Sequence, residues 1–163
     1  GLMDDTTINE NVVRKNKELV EKHPYLIPTY EYTGMPLDDY DYSFTFLDDM
    51  PPGWKTAFGE RMCDEITEIL KEYNYLDKYR VVQVKEKFGQ LRWYDNGSPD
   101  GAYEKINDVL VKYEHMSEVT CVMCGKPATK MSIGWISPYC DDCAAKLRNT
   151  KFVSIDRRDN DLP

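Results

Sequence analysis

Four of the five cysteines fall in a pattern that can do chemistry. Cys121-Val-Met-Cys124 is followed after fifteen residues by Cys140-Asp-Asp-Cys143. Each Cys-x-x-Cys turn lets two sulfurs reach one ion from a single tight loop, and two such knuckles at this separation supply a tetrahedral shell of soft thiolates. The spacing predicts one structural zinc ion per chain, held by Cys121, Cys124, Cys140 and Cys143. Four protein ligands leave no position for water or substrate, so the expected zinc is structural and not catalytic. Gly125 after the first knuckle frees the backbone to turn its amides toward sulfur. The other use of four cysteines, two disulfides, belongs to oxidising compartments. The N-terminal stretch Gly-Leu-Met-Asp-Asp is not the basic-then-apolar pattern of a secretory signal, so reduced thiols and a cytoplasmic location are expected.

The charge of the chain is segregated. The net charge is −8, and residues 1–50 carry eleven acids against four bases, whereas residues 78–94 carry five bases and one acid. So acidic a chain repels nucleic acid at long range, which confines any such contact to a local basic patch. No apolar run is long enough to span a membrane. Only two histidines are present, His23 and His115, and neither sits in a recognisable catalytic motif. Cys63 stands alone and reads as a small buried hydrophobe.

Elements to position the cysteines follow from the apolar spacing. Thr7 and Glu10 have the spacing of a capping box, predicting a helix over 8–22 that stops before Pro24 with His23 at its end. Residues 24–53 are proline-punctuated, acidic and tyrosine-rich, and residues 40–46 alternate as a strand would. Trp54, Phe58, Met62, Ile66, Ile69, Leu70 and Tyr73 define the inward face of a long helix over 54–76. Two extended runs about Glu86-Lys-Phe-Gly89 predict a hairpin, with Val82, Val84, Leu91 and Trp93 facing the helix. Gln83, Lys85, Lys87, Arg92 and Tyr94 then share the opposite face as a candidate binding surface. Ser98-Pro99 opens a helix over 99–116 that carries Tyr103, Ile106, Val109, Leu110 and Tyr113 inward. An extended pair carrying Thr129, Met131, Ile133 and Trp135 joins the knuckles. The expected fold is α+β: an N-terminal helix plus acidic segment (1–53), a helix–hairpin–helix core (54–117), a zinc-ribbon-like module (118–150) and a charged tail (151–163).

The string Gln83-Val-Lys-Glu-Lys-Phe-Gly-Gln-Leu-Arg92, the helix after it, Cys121-x-x-Cys124-Gly125, Trp135 and Cys140-x-x-Cys143 resemble a family of small bacterial proteins often found among phage and prophage genes. The likeness covers roughly residues 54–146, and many relatives have His where this chain has Cys143. The resemblance implies the fold and the metal and carries no activity.

Three functions are compatible with these features. The leading one is a non-enzymatic, zinc-stapled module that contacts nucleic acid, or a protein of the host's information machinery, through the basic hairpin face, helped by the bases Lys126, Lys130, Lys146, Arg148 and Lys151. The second is a protein–protein adaptor or inhibitor acting through the acidic N-terminal half. The third is a hydrolase or nuclease, the least favoured because no catalytic cluster accompanies the ribbon. No small-molecule substrate is indicated.

Overall fold

The computed structural model describes residues 2–30 and 33–155, with the backbone alone for 2–9. Helix α1 (Leu2–Lys22) ends where Pro24 requires, but it begins well before residue 8, so Thr7 lies inside it and not at its cap. Its Leu19 and Val20 are buried, and Asn16 donates to the carbonyl of Tyr42 at 2.9 Å. A single 3-10 turn, Pro24–Leu26, drops Tyr25 and Leu26 into the core.

The alternating stretch 40–46 forms no strand. Asp41 accepts a hydrogen bond from the Ser43 amide at 3.0 Å, and Asp39 and Tyr42 adopt positive φ (54° and 61°). Such local bonds from Asp offer the backbone a turn in place of a ladder. The chain then closes on a 3-10 turn, Phe46–Asp49, with a capping box between Thr45 and Asp48. That turn packs on the first hairpin strand, which brings one end of the acidic segment against the hairpin.

The long helix is one run with a defect. Pro52–Trp54 is helical, Lys55–Gly59 is π-helical and Glu60–Glu72 is α-helical; together they form α2. Its core residues Trp54, Phe58, Met62, Ile66 and Leu70 repeat every four positions, and none is more than 1% exposed. At 100° per residue such a repeat drifts by roughly 160° from Trp54 to Leu70 in an unbroken α-helix, almost to the far side. The wider π turn removes part of that rotation and keeps Trp54 on the buried face.

The hairpin consists of β1 (Val81–Lys87) and β2 (Gln90–Asp95), antiparallel, with Phe88 and Gly89 alone in the turn. Both have positive φ, 54° and 81°, which is the demand of a two-residue type I′ turn. An irregularity in the pairing between Val81 and Gln83 corrects the expected facing. It turns Val81 and Val84 inward together and leaves Val82 41% exposed. Leu91 and Trp93 face the core as expected.

Helix α3 (Ala102–Glu118) begins after Gly101 (φ 88°), three residues later than Ser98-Pro99 suggested. The Gly101 amide donates to the Glu104 carboxylate at 2.6 Å. With that start, Ala102 is buried and Tyr103 is 57% exposed, not inward; Ile106, Leu110 and Tyr113 are buried. Lys105–Glu72 and Lys112–Glu65 ion pairs join α2 to α3 (2.7 and 2.5 Å). All four side chains are at least a third exposed, so water and salt screen both pairs and they add little to stability.

The C-terminal part is a three-stranded antiparallel sheet of β3 (Lys130–Ser132), β4 (Pro138–Tyr139) and β5 (Phe152–Ser154), in the order β4-β3-β5, with the short helix α4 (Asp141–Ala145) after β4. Strand β5 lies in the stretch read as a charged tail; Met131 pairs with Val153, which makes 152–154 part of the sheet. Residues 156–163 fall outside the described ones. After β3 the chain turns at Gly134 (φ 90°), so Ile133 and Trp135 sit on a loop and not on a strand. The architecture is α+β, with one core running from α1 through α2, the hairpin and α3 to Val122. No helix of the described residues is long and apolar enough to cross a membrane.

Candidate metal centre

The fold brings the four predicted cysteines together from two places. Cys121 and Cys124 lie on the knuckle that follows α3, and Cys140 and Cys143 at the start of α4. Their sulfurs all lie within 4.8 Å of one another, and Cys124 Sγ is 3.5 Å from Cys140 Sγ. An ion bonded to four thiolates at ~2.3 Å places them about 3.8 Å apart, so the cluster has the dimensions of a tetrahedral site. None of the five cysteines is disulfide-bonded. Cys121, Cys140 and Cys143 are buried and Cys124 is the outermost, so the shell closes against protein on three sides.

Backbone amides support the sulfurs. Lys126 N donates to Cys124 Sγ (3.5 Å), and Cys143 N donates to Cys140 Sγ (3.4 Å), which caps α4 with a sulfur. Burial pushes the Cys121 thiol up, but amides of Cys124, Cys140 and Met123 point at it and bring it down to about 7. Cys143 goes the other way, to about 12, mainly by burial with further upward shifts from hydrogen bonds to the neighbouring cysteines. A bound cation would displace the thiol protons. The donor set and geometry fit a structural metal ion.

What the sequence did not disclose is how the first knuckle is anchored. Gly53 N donates to Val122 O at 2.7 Å, and Trp54 Nε1 donates to Thr120 O at 2.8 Å. A Cβ on Gly53 would lie 2.1 Å from Cys121 O and 2.6 Å from Gly125 N; one on Gly125 (φ 84°) would lie 2.7 Å from Gly53 O. Two glycine backbones touch, and the start of α2 is locked to the metal loop. The signal in the sequence was Pro51-Pro-Gly-Trp54: a glycine wedged between a helix-opening proline and the largest side chain.

The hairpin face forms, with changes. Gln83 pairs with Tyr94 and Lys85 with Arg92, while Lys87 sits at the turn end opposite Gln90. Gln83, Lys87 and Tyr94 are exposed; Lys85 and Arg92 are half-buried. The Lys85 ammonium lies over the Tyr94 ring (5.8 Å), and that of Lys87 over Phe88 (5.6 Å). Burial raises the Glu114 carboxyl of α3 above its usual range, with the Arg92 charge pulling it partly back, and Arg92 Nε is buried without a protein partner. Glu86, the polar residue of the turn, accepts the Gly89 amide at 2.7 Å and is occupied as a turn clamp.

His23 is no mere helix-end histidine. It is buried, with Nδ1 2.6 Å from Thr67 Oγ1 and Nε2 3.2 Å from Asp64. Tyr25 OH joins the same network, 2.8 Å from Thr67 Oγ1 and donating to Cys63 O at 2.8 Å. Burial lowers the His23 pKa below 6.5 against the pull of Asp64. Every polar atom in this set has a partner, which is what a stable buried network requires. Cys63 is fully buried and its thiol is pushed far up, as expected of an inert side chain. His115 is exposed and is not part of the cysteine cluster.

Comparison of the chain with protein-family models, curated proteins and solved structures finds no match, so the four-cysteine centre stands on its geometry alone.

Proposed function

We propose that the chain is a non-enzymatic, zinc-stapled binding module that contacts nucleic acid through the outer face of its hairpin. Zinc is the ion that four thiolates in a closed tetrahedron favour, and a shell with no open position serves structure. The observation that carries the nucleic-acid reading is the register: Lys85 stands across from Arg92 and Gln83 across from Tyr94, with Lys87 at the end of the same row. The ribbon adds to the charge, since residues 121–155 hold five bases against two acids. A basic row with interleaved aromatic side chains suits single strands, whose phosphates meet the cations while bases stack on rings. The resemblance of residues 54–146 to the phage-associated family belongs to the same proposal.

Binding of a labelled 20-nucleotide single strand, followed by anisotropy across salt, tests it. Affinity should fall steeply with salt, and each of Lys85→Gln and Lys87→Gln should flatten the log–log slope by about 0.7. Absence of binding at low salt ends the nucleic-acid reading. Elemental mass spectrometry of the native protein should find one zinc per chain; another metal would remove the zinc assignment.

A second reading, a protein adaptor, draws on Asp38, Asp39, Asp41, Asp48 and Asp49, all exposed. It would use this acidic surface against a basic partner, and reversing Asp38, Asp39 and Asp41 to Lys would abolish capture of that partner.

A further inference from the structure

The turn of the hairpin holds a residue that a folding argument alone would reject. In a type I′ turn both central positions have positive φ, and Asn-Gly is the favoured pair. Here the first position is Phe88, φ 54° and 70% exposed. A phenyl ring there strains the backbone and gains little burial in return. Close to it, Trp135 is 79% exposed on the loop turned by Gly134. The turn and the loop are packed together: a Cβ on Gly89 would lie 3.4 Å from Met131 Sδ and 3.5 Å from Ile136 Cγ2. Between them lies a groove of about 160 Å³ lined by Glu86, Lys87, Phe88, Gly134, Trp135 and Ile136.

Two exposed aromatic rings on one groove, contributed by separate elements and one of them held at a strained backbone position, indicate that something covers them. The groove is well below the ~300–1,000 Å³ of ordinary small-molecule sites, so it accepts one ring system and not a whole metabolite. Its rims are cationic. Lys87 borders it directly, Lys85 is two residues up the same strand, and Lys151 lines the next depression beyond Trp135, together with Ile133 and Tyr139. Glu86 is the one acid in the groove, and its carboxylate is engaged by the Gly89 amide.

We propose that this groove is a base-stacking subsite, in which an unpaired nucleobase of a single strand packs against Trp135 and Phe88 while the flanking phosphates run toward Lys87 and Lys151. It rests on the nucleic-acid reading above and adds to it a position, a strandedness and the residues that read it. A duplex cannot offer a ring to the groove without breaking a pair, so single strands are preferred.

The three tryptophans make the test direct. Trp54 and Trp93 are buried, 0% and 6% exposed, so the solvent-exposed part of the emission belongs to Trp135. Titration with an unlabelled 12-nucleotide single strand should quench that emission, and the matched duplex should bind at least tenfold more weakly. Trp135→Ala should weaken single-strand binding by about tenfold, the scale of one lost stacking contact. Phe88→Asn should weaken it similarly while melting at the same or a higher temperature, because Asn suits the turn. Single-strand binding that Lys85→Gln and Lys87→Gln abolish but Trp135→Ala and Phe88→Asn leave intact would overturn the subsite and keep the basic-face reading. No binding of any oligonucleotide at low salt would remove both, and capture of a protein by the groove without nucleic-acid binding would replace them.

Discussion

Gly53→Ala is the sharpest perturbation the structure offers. The added methyl would lie 2.1 Å from Cys121 O, 2.6 Å from Gly125 N and 2.8 Å from the Val122 carbonyl carbon, all backbone atoms that no rotamer can move aside. Relief requires separating α2 from the knuckle, which breaks Gly53 N→Val122 O and Trp54 Nε1→Thr120 O. Two net hydrogen bonds are worth about 2 kcal/mol together, and overpacking adds roughly 1–3 kcal/mol. A loss of about 4 kcal/mol lowers the melting temperature of a chain this size by about 10 °C. Gly59→Ala is the matched control in the same helical run. Its methyl would meet Leu47 at 3.6 Å and the Lys55 side chain at 3.7 Å, ordinary contacts. It should be neutral or stabilising by up to ~1 kcal/mol through helix propensity. Circular-dichroism melts of both variants, paired with metal titration, read the outcome. Gly53→Ala should also bind metal more weakly, since it displaces the loop between Cys121 and Cys124. A Gly53→Ala melt within 2–3 °C of the parent's (about 1 kcal/mol), or an equal loss in Gly59→Ala, would refute this docking of α2 on the knuckle.

Other outcomes follow from the same structure. Chelation should lower the melting temperature and loosen residues 121–155 first, and Cys140→Ser should reproduce the effect while Cys63→Ser leaves metal content unchanged; elemental analysis and hydrogen exchange check both. Burial lowers the folded-state pKa of His23, so the unfolded chain binds more protons just below pH 6.5, and stability should fall as pH drops through that value. His23→Gln should flatten this part of the pH–stability curve, measured by denaturant melts between pH 8 and 5. With metal bound at neutral pH, Cys63 should resist alkylation until the chain unfolds, and mass mapping should find Cys124 modified first after chelation.

The cysteine spacing made the metal centre legible, because a knuckle is a local device whose ligands are fixed by their own turns. Helix α2 was legible too, since Trp54, Phe58, Met62, Ile66 and Leu70 announce one face. Its π turn was not, although the strict four-residue repeat is the reason such a turn is needed. The hairpin's existence and outer face could be read from alternation, but the irregularity at Val81–Gln83 shifts the count by one and puts Val82 outside. Alternation also failed at residues 40–46, where a side-chain bond from Asp41 to the Ser43 amide outcompetes pairing. Long-range features were the least visible. Strand β5 is a strand only because Lys130–Ser132 offers it an edge, and His23 looked like a helix end until Asp64 and Thr67, some forty residues away, closed around it.

The clamp between Gly53 and the first knuckle also bears on when the metal can be captured. As the chain is made, Gly53 and Trp54 emerge long before Thr120 and Val122, and their bonds close a loop of nearly seventy residues. Closing so long a loop is entropically costly and slow relative to forming a local turn. The two cysteines of each knuckle can pair around an ion at once, but the first knuckle reaches its final position only after α2 has folded and docked. Metal uptake should therefore show two rates: a fast, loose capture that follows ion concentration, and a slower tightening that does not. That second rate would be set by residues 52–54, which touch no metal at all.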